Sequence, residues 1–303
     1  MERISRRSFL SFGGGIVGAT LAAACGGGGS PSAESTPAAG SSAQPAAAPA
    51  AMNEYCGLRM GMQSWCFREW DLDRTIAGMQ ELGLSNIELA LVVHLPLDSA
   101  DEALQAARGK FDAAGIKIDA FGVERVRNDE AQARRLFEVG RKLGVITISV
   151  APEYEALPLV DRLANEYGIP VGIHNHGPED KLYAKPEMFR EKLAGLSSLT
   201  GLCVDTGHYG RSGVDPLAVI DEFSDRINMV HLKDMVHGGA GEPEWVDRIV
   251  GQGQLDLPGL LKRLSAIDFA GPFSLEYESD PANPLPPMKD CLAAVRQACA
   301  AMG

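Results

Sequence analysis

Short apolar segments alternate with amphipathic segments eight times between residue 53 and the end of the chain, and this alternation restricts the fold most strongly. Consecutive parallel strands need a crossover segment, usually a helix, that returns the chain to the start of the next strand. The alternation therefore predicts parallel strands at Leu58–Ser64, Asn86–Ala90, Ile116–Gly122, Val145–Ala151, Pro170–His174, Leu202–Asp205, Ile227–Lys233 and Pro272–Glu276. Eight such units in about 250 residues are the size of one closed barrel.

The predicted fold is thus α/β, a single (β/α)8 TIM barrel over residues 53–303. The alternative is an open doubly wound sheet, which needs a glycine-rich turn after its first strand. Gln63-Ser64-Trp65-Cys66 is not such a turn.

The amphipathic segments predict helices at Asp71–Leu82, Asp101–Ala114, Asn128–Leu143, Ala156–Tyr167, Asp215–Phe223 and Leu257–Ile267. Two of them carry signals at both ends, Asp71 with Gly83 and Asn128 with Gly144. A side-chain oxygen at the first position accepts hydrogen bonds from free backbone N–H groups, and a glycine adopts the left-handed conformation that ends a helix.

The N-terminal 52 residues are typical of a targeting segment and lie outside the predicted barrel. Arg6 and Arg7 precede the apolar stretch Phe12–Ala24, which is too short to span a membrane, and residues 1–24 resemble a twin-arginine signal peptide. Leu21-Ala22-Ala23-Ala24-Cys25 resembles a bacterial lipobox, so we expect Cys25 to be lipidated; an ordinary cleaved signal is the alternative. Residues 25–52, rich in Gly, Ser, Pro and Ala, predict a flexible linker. Export to the periplasm follows, with membrane contact only through the lipid anchor.

The cysteines give little information about function. Five remain after Cys25, at positions 56, 66, 203, 291 and 299, and none forms a CxxC pair. Neither a thiolate metal site nor a redox motif is therefore indicated. An exported domain is able to form disulfides, but the sequence leaves the pairing open.

Charge excludes one class of partner. The formal net charge is −12, and removal of residues 1–24 deletes three Arg and one Glu, which gives −12 − 2 = −14. Nucleic acids are bound chiefly by neutralising phosphates with Lys and Arg. We therefore expect no nucleic-acid partner, and a nuclease built on the same barrel is disfavoured.

Alternation within each strand predicts which side chains enter the barrel, because successive residues face opposite sides and the helix-facing side is apolar. Val230 and Leu232 face the helices, so His231 and Lys233 face the interior. The same reasoning turns further polar residues inward, namely Gln63, Glu88, His174, His176, Asp205, Ser274, Glu276 and Glu278. Most lie near the C-terminal ends of their strands, where barrel enzymes keep their active sites.

Four inward residues from four consecutive strands suit a divalent metal: His174, Asp205, His231 and Glu276. Two imidazoles and two carboxylates favour Mn, Zn, Fe or Co over Ca or Mg, which prefer oxygen ligands. Buried carboxylates require a cation nearby. Lys233 provides the alternative explanation, since its ammonium supplies positive charge without a metal.

The chain resembles the sugar phosphate isomerase/epimerase family of xylose isomerase-like barrels over roughly residues 57–292. The resemblance is carried by Ile173-His174-Asn175-His176-Gly177, Val204-Asp205-Thr206-Gly207-His208, Val230-His231-Leu232-Lys233-Asp234, Gly251-Gln252-Gly253 and Leu275-Glu276-Tyr277-Glu278. In the family a Glu, an Asp, a His and a Glu hold Mn or a similar ion. The resemblance implies Asp205, His231 and Glu276 as ligands and His208 as a contact to substrate oxygens. His174 stands where many relatives have Glu.

The resemblance implies proton abstraction next to a metal-polarised carbonyl of a sugar, its small-molecule substrate. The expected cofactor is one divalent ion, Mn in the first place, with Zn, Co, Fe or Mg as alternatives. The base remains open among three residues, Glu276, His176 and Lys233. His208 and Glu88 are expected to hold substrate hydroxyl groups, and Gln63 and Trp65 to shape the pocket.

The resulting enediolate has two possible fates. Reprotonation of the enediolate makes the enzyme an isomerase or epimerase, and the resemblance favours this interpretation. Expulsion of a β-leaving group makes it a lyase of 3-keto-glycosides, which export favours, because glycosides are met outside the cell. His174 removes one of the two carboxylates that exchange a proton in family epimerases, and it lowers the formal ligand charge from about −3 to about −2. A sugar-binding lipoprotein without catalysis is the alternative from another class.

Overall fold

Residues 54–302 of the computed structural model are described here, and they form a closed barrel of eight parallel strands. The signal segment 1–24, Cys25 and the linker to residue 52 lie outside these residues, so their predicted roles stay predictions. Within 54–302, none of the helices is both long and apolar enough to cross a membrane.

The strands follow in chain order as β1 to β10, with β8 and β9 outside the barrel. Their bounds are Arg59–Gln63, Asn86–Leu89, Lys117–Val126, Thr147–Pro152, Val171–His174, Thr200–Asp205, Ile227–Leu232, Met235–His237, Trp245–Asp247 and Pro272–Leu275. The barrel order is β1-β10-β7-β6-β5-β4-β3-β2. All eight predicted strands are therefore confirmed, with bounds that differ by a few residues.

The α-helices α1 to α10 lie between and after these strands. Their bounds are Leu72–Leu82, Leu91–His94, Asp101–Ala113, Glu130–Leu143, Leu157–Tyr167, Arg190–Leu193, Thr206–Arg211, Pro216–Glu222, Leu257–Ala266 and Leu285–Met302. Three 3-10 turns complete the set at Ser64–Phe67, Tyr154–Ala156 and Pro186–Met188. The apolar faces of the long helices pack on the outside of the barrel, where the core lies.

The residue that caps the helix N-terminus is the predicted one in α1 and differs by one residue in α4. Asp71 accepts a hydrogen bond from the backbone N–H of Arg74 and begins α1. At α4 the capping residue is Asp129 and not Asn128, because the Asp129 carboxylate accepts from the N–H groups of two following residues. Gly83 and Gly144 end these helices in the left-handed conformation as predicted.

The antiparallel hairpin β8–β9 was not predicted, because strands of three residues carry too short a pattern. It follows β7 at the mouth of the barrel, and the loop after it is fixed by Asp234. The Asp234 carboxylate accepts four backbone hydrogen bonds of 2.8 to 3.0 Å, from Gly251, Gly253, Gln254 and Leu255. A Cβ at Gly253 would lie 2.3 Å from an Asp234 oxygen, so this glycine permits the contact. The Gly-Gln-Gly motif thus shapes the mouth.

A disulfide joins Cys56, just before β1, to Cys299 in the last helix. It connects two parts of the chain that are 243 residues apart. Cys66, Cys203 and Cys291 are free and buried. The first and last elements of the barrel are therefore linked covalently.

Candidate active site

Asp205 ends β6 and begins α7, and its two carboxylate oxygens have different neighbours. Oδ1 accepts a 2.7 Å hydrogen bond from the backbone N–H of His208 and caps the helix. Oδ2 lies 3.6 Å from Nε2 of His174. Asn175 fixes the backbone of Asp205 by exchanging two hydrogen bonds with it, of 2.9 and 3.1 Å. The His-Asn and Asp-x-x-His motifs therefore hold each other in place.

Four side chains converge where the strands end: His174, Asp205, His231 and Glu276. Each offers one nitrogen or oxygen atom, and these four atoms lie within 4.8 Å of one another. Nδ1 of His231 is 3.1 Å from Nε2 of His174 and 2.9 Å from Oε2 of Glu276. All four residues are buried, so the cluster forms the floor of the barrel mouth.

His231 is held from its other side by Glu88. Nε2 of His231 donates to Oε2 of Glu88 at 2.8 Å, and both side chains are completely buried. This differs from the expected role of Glu88 at substrate hydroxyls, because the carboxylate lies below the floor and is occupied by His231. Such a partner fixes the ring orientation of a histidine and directs Nδ1 into the cluster, where it contacts Glu276 and where it would bind a metal.

Lys233 is fully buried and surrounded by carboxylates. Its ammonium lies 3.3 Å from Oδ2 of Asp205, 3.3 Å from Oε2 of Glu276, and in direct contact with Glu278. Burial alone would lower the pKa of Lys233, but these negative charges outweigh it and raise the pKa well above its usual value. Lys233 in turn lowers the pKa of Glu278 to about 2. A permanently protonated Lys233 is unable to accept a proton, which disfavours it as the base.

The cluster fits a divalent cation. Oδ2 of Asp205 and Oε2 of Glu276 are buried and accept no hydrogen bond of good geometry within residues 54–302; their contacts there are ion pairs with Lys233 at 3.3 Å and with ring nitrogens of His174 and His231. Lys233 is a single positive charge beside three carboxylates, so it compensates only part of their charge. Burial lowers the pKa of His174 to about 4, so this ring is neutral at ordinary pH and able to act as a ligand.

A cavity of about 740 Å³ opens above the cluster. Seven of the residues that the sequence singled out line it: Gln63, Trp65, His174, His176, His208, Glu276 and Glu278. Gln63 donates to the carbonyl of Gly122, and its own oxygen accepts from the N–H of Trp65. Trp65 donates its indole N–H to Glu278. β1 and the 3-10 turn that follows it thus supply one wall of the cavity.

Two of the three candidate bases remain. Glu276 borders the cavity and belongs to the ligand cluster at the same time. His176 is partly exposed, with its ring centre 4.6 Å from that of His174 and Nδ1 3.8 Å from Asp180. Burial lowers the pKa of the neighbouring His208, which favours its neutral form. Of the three predicted bases, Glu276 and His176 are therefore the two that border the cavity.

Some residues of the site escaped the sequence analysis. Cys203 lies two residues before Asp205 on the same face of β6, and it forms a second group of potential ligand atoms with His174 and His231. Strand alternation alone indicates this position, because Cys203 belongs to no CxxC pair. Arg211 donates to Nδ1 of His208 at 3.0 Å and pairs with Glu179, and no motif pointed to either contact.

The fold and the site define a TIM barrel with a candidate His/Asp/Glu metal cluster at the C-terminal ends of its strands. The profile of the xylose isomerase-like TIM barrel family matches residues 76–298. The chain belongs to this family, which confirms the fold that the motifs implied.

Curated relatives match only part of the chain. The rhizopine catabolism protein MocC of Rhizobium meliloti is 30% identical over 142 residues, 42% of either protein. Inosose dehydratase of Clostridium beijerinckii is 29% identical over 142 residues, 42% of this chain and 47% of that one. The chain thus spans less than half the length of these relatives.

Solved structures match most of the chain. A putative uncharacterized protein from Parabacteroides distasonis is 29% identical with a TM-score of 0.62, and the match covers 78% of this chain and 97% of that one. The apo form of 3-keto-D-glucoside 4-epimerase from E. coli has a TM-score of 0.61 at 15% identity, with 79% and 99% covered. At 15% identity the likeness concerns the fold alone.

Proposed function

We propose that this protein is a divalent-metal-dependent sugar isomerase or epimerase that abstracts the proton next to a carbonyl group. The observation that carries the proposal is the convergence of His174, Asp205, His231 and Glu276 on one point below an open cavity. A divalent ion at that point supplies Lewis-acid polarisation of a carbonyl oxygen. The mixed nitrogen and carboxylate ligand set is compatible with Mn, Zn, Fe or Co, and Mn is put first because of the resemblance to the sugar phosphate isomerase/epimerase family.

The side chains divide the remaining tasks. Glu276 takes the proton from the carbon next to the carbonyl, with His176 as the alternative base. Lys233 stays protonated and holds the carboxylates of Asp205, Glu276 and Glu278 in place. His208, oriented by Arg211, binds a substrate hydroxyl group.

A second candidate reaction is elimination of a β-leaving group, as in a 3-keto-glycoside lyase. It is favoured by the composition of the cluster, in which His174 stands where the family resemblance implies a carboxylate, so Glu276 is the one carboxylate of the cluster that also borders the cavity. One base suffices for elimination, whereas family epimerases use two carboxylates. The curated relatives include inosose dehydratases, proteins named for the loss of water.

A metal titration followed by a substrate screen tests the proposal. Purified protein is analysed for bound metal, and turnover of keto-sugars and 3-keto-glycosides is measured in D₂O with and without added Mn. Isomerised product that carries solvent deuterium supports the isomerase, and an unsaturated keto-sugar with a released aglycone supports the lyase. If the protein binds sugars but turns none of them over at any metal loading, both reactions are rejected and the protein is a sugar-binding protein.

We also propose that the protein is exported by the twin-arginine route and is anchored in the periplasm through Cys25. The disulfide between Cys56 and Cys299 supports an oxidising compartment, because such bonds persist outside the cytosol. Replacing Arg6 and Arg7 with Lys is expected to block export, and Cys25→Ser to release the protein from membranes. Unmodified soluble protein in the periplasm of the parent strain would reject the anchor and keep the export route.

A further inference from the structure

The cavity lining is divided between polar groups at the strand ends and a set of apolar side chains. The polar part includes His174 and Glu276 of the candidate metal cluster and, beside them, His208. The apolar part comes from four segments of the chain and includes Trp65, Val92, Val123, Met235 and Trp245. A single sugar ring bound at the strand ends leaves the apolar part without a contact.

Two of the apolar residues are placed in a way that the fold itself does not require. Val92 is 77% exposed although it borders the cavity. Trp245 stands on the hairpin β8–β9, outside the barrel, and its ring packs against His237 at a centroid distance of 3.9 Å. Neither side chain contributes to the buried core. Apolar surface that is kept at a cavity in this way is typical of ligand contact.

Asp247 adds a polar group to the same hairpin. It lies two residues after Trp245, so both side chains face the same side of β9, and both border the cavity. Its Oδ2 accepts a 2.8 Å hydrogen bond from Ser279. Its Oδ1 has no hydrogen-bond partner within residues 54–302, although Asp247 is only 5% exposed. A buried acceptor without a partner is costly, and a ligand hydroxyl removes that cost.

We propose that the hairpin forms a second subsite and that the substrate is a glycoside, with its keto-sugar ring at the metal cluster and its second ring against Trp245 and Trp65. Asp247 accepts a hydroxyl hydrogen bond from the ligand between the two parts. The cavity of about 740 Å³ is within the range that encloses drug-sized ligands, which are larger than one hexose. This inference rests on the proposed sugar chemistry and names its substrate class.

Binding of three unreactive glucosides to the Mn-loaded protein tests the subsite without turnover. Methyl β-D-glucoside has no second ring, p-nitrophenyl β-D-glucoside has an aromatic one, and cellobiose has a second sugar. Dissociation constants are measured by calorimetry and by quenching of tryptophan fluorescence. We expect both two-ring ligands to bind about tenfold or more tightly than the methyl glucoside. The tighter of the two identifies the natural second ring as aromatic or sugar.

Trp245→Ala is expected to remove this preference, and Trp245→Phe to retain most of it. Asp247→Asn is expected to weaken all three ligands while it keeps the preference. Ile146→Ala, which truncates an exposed apolar side chain outside the cavity, serves as the control and should change nothing. Equal affinity of the three ligands for the parent protein, including no binding of any, would overturn the subsite. Failure of the sugar chemistry is seen separately, as absent turnover of keto-sugars with Mn.

Discussion

Oε2 of Glu88 lies 2.8 Å from Nε2 of His231, and neither side chain has any exposed surface. Glu88 lies on β2 and His231 lies on β7, so this hydrogen bond crosses the barrel interior. It fixes the ring of a proposed metal ligand from behind, which makes Glu88 a positioning residue.

Glu88→Gln is expected to weaken Mn binding ten- to a hundredfold, because loss of such a partner reduces the basicity and the orientation of the ligand ring. Calorimetric metal titration measures the change. Asp119→Asn, which alters another buried carboxylate on β3 paired with Arg59, is the matched control and should leave metal affinity unchanged. Equal affinity of Glu88→Gln and the parent would remove Glu88 from the site.

His231→Ala and Asp205→Ala are each expected to lose the metal and the activity, since open sites with few protein ligands tolerate little loss. The two differ in stability, because Asp205 also caps α7 and pairs with Lys233. Asp205→Ala should therefore cost about 1 kcal/mol or more of the free energy of unfolding from the cap alone. Metal analysis and urea unfolding check both effects. Stoichiometric metal in both variants would leave Lys233 as the partner of these carboxylates.

His174→Glu introduces the residue that the family resemblance implies at this position. For an epimerase with paired carboxylates we expect preserved or higher turnover and an epimerised product that contains solvent deuterium. For a lyase, the added negative charge weakens polarisation of the carbonyl, and a loss of about 1.4 kcal/mol of transition-state stabilisation is a factor of ten. His174→Gln is the neutral control. A tenfold loss with metal retained would contradict the epimerase.

Glu124 gives a pH dependence of stability that does not involve the metal. Burial raises the pKa of this carboxyl from 4.5 to about 7. Below pH 4.5 Glu124 is protonated in both the folded and the unfolded chain and costs no stability. Between pH 4.5 and about 7 the unfolded chain releases this proton and the folded protein keeps it, so the free energy of unfolding falls. Glu124→Gln should therefore raise the free energy of unfolding by about 1–3 kcal/mol at pH 8 and by nothing at pH 4. Glu69→Gln, at an exposed position, is the control; an equal gain at both pH values would contradict this cause.

Cys299→Ser is expected to lower the free energy of unfolding by about 2–5 kcal/mol, because the disulfide with Cys56 restricts the unfolded chain. Added reductant should destabilise the parent by a similar amount and leave the variant unchanged. Urea unfolding with and without reductant measures both. A parent protein that is insensitive to reductant would show that the bond is not formed in solution.

The sequence by itself determined the barrel and the inward direction of the polar residues. Strand alternation is local, so Val230 and Leu232 were enough to place His231 inside, and the register of β7 with β6 then brings it beside Asp205. Strand alternation was enough to predict the four candidate ligands, because equivalent ends of neighbouring strands meet at one mouth of the barrel.

Only the tertiary structure decided what each inward residue contacts. Glu88 and Trp65 were both expected at the substrate. In the structure Trp65 lines the cavity, whereas Glu88 lies below the cluster against His231. Strand alternation predicts that a side chain points inward but not how far it lies from the barrel mouth. The position of Trp245 depends on a three-residue strand whose pairing with β8 is set by its neighbours in space. The pairing of Cys56 with Cys299 likewise depends on closure of the barrel, which brings together residues from opposite ends of the chain.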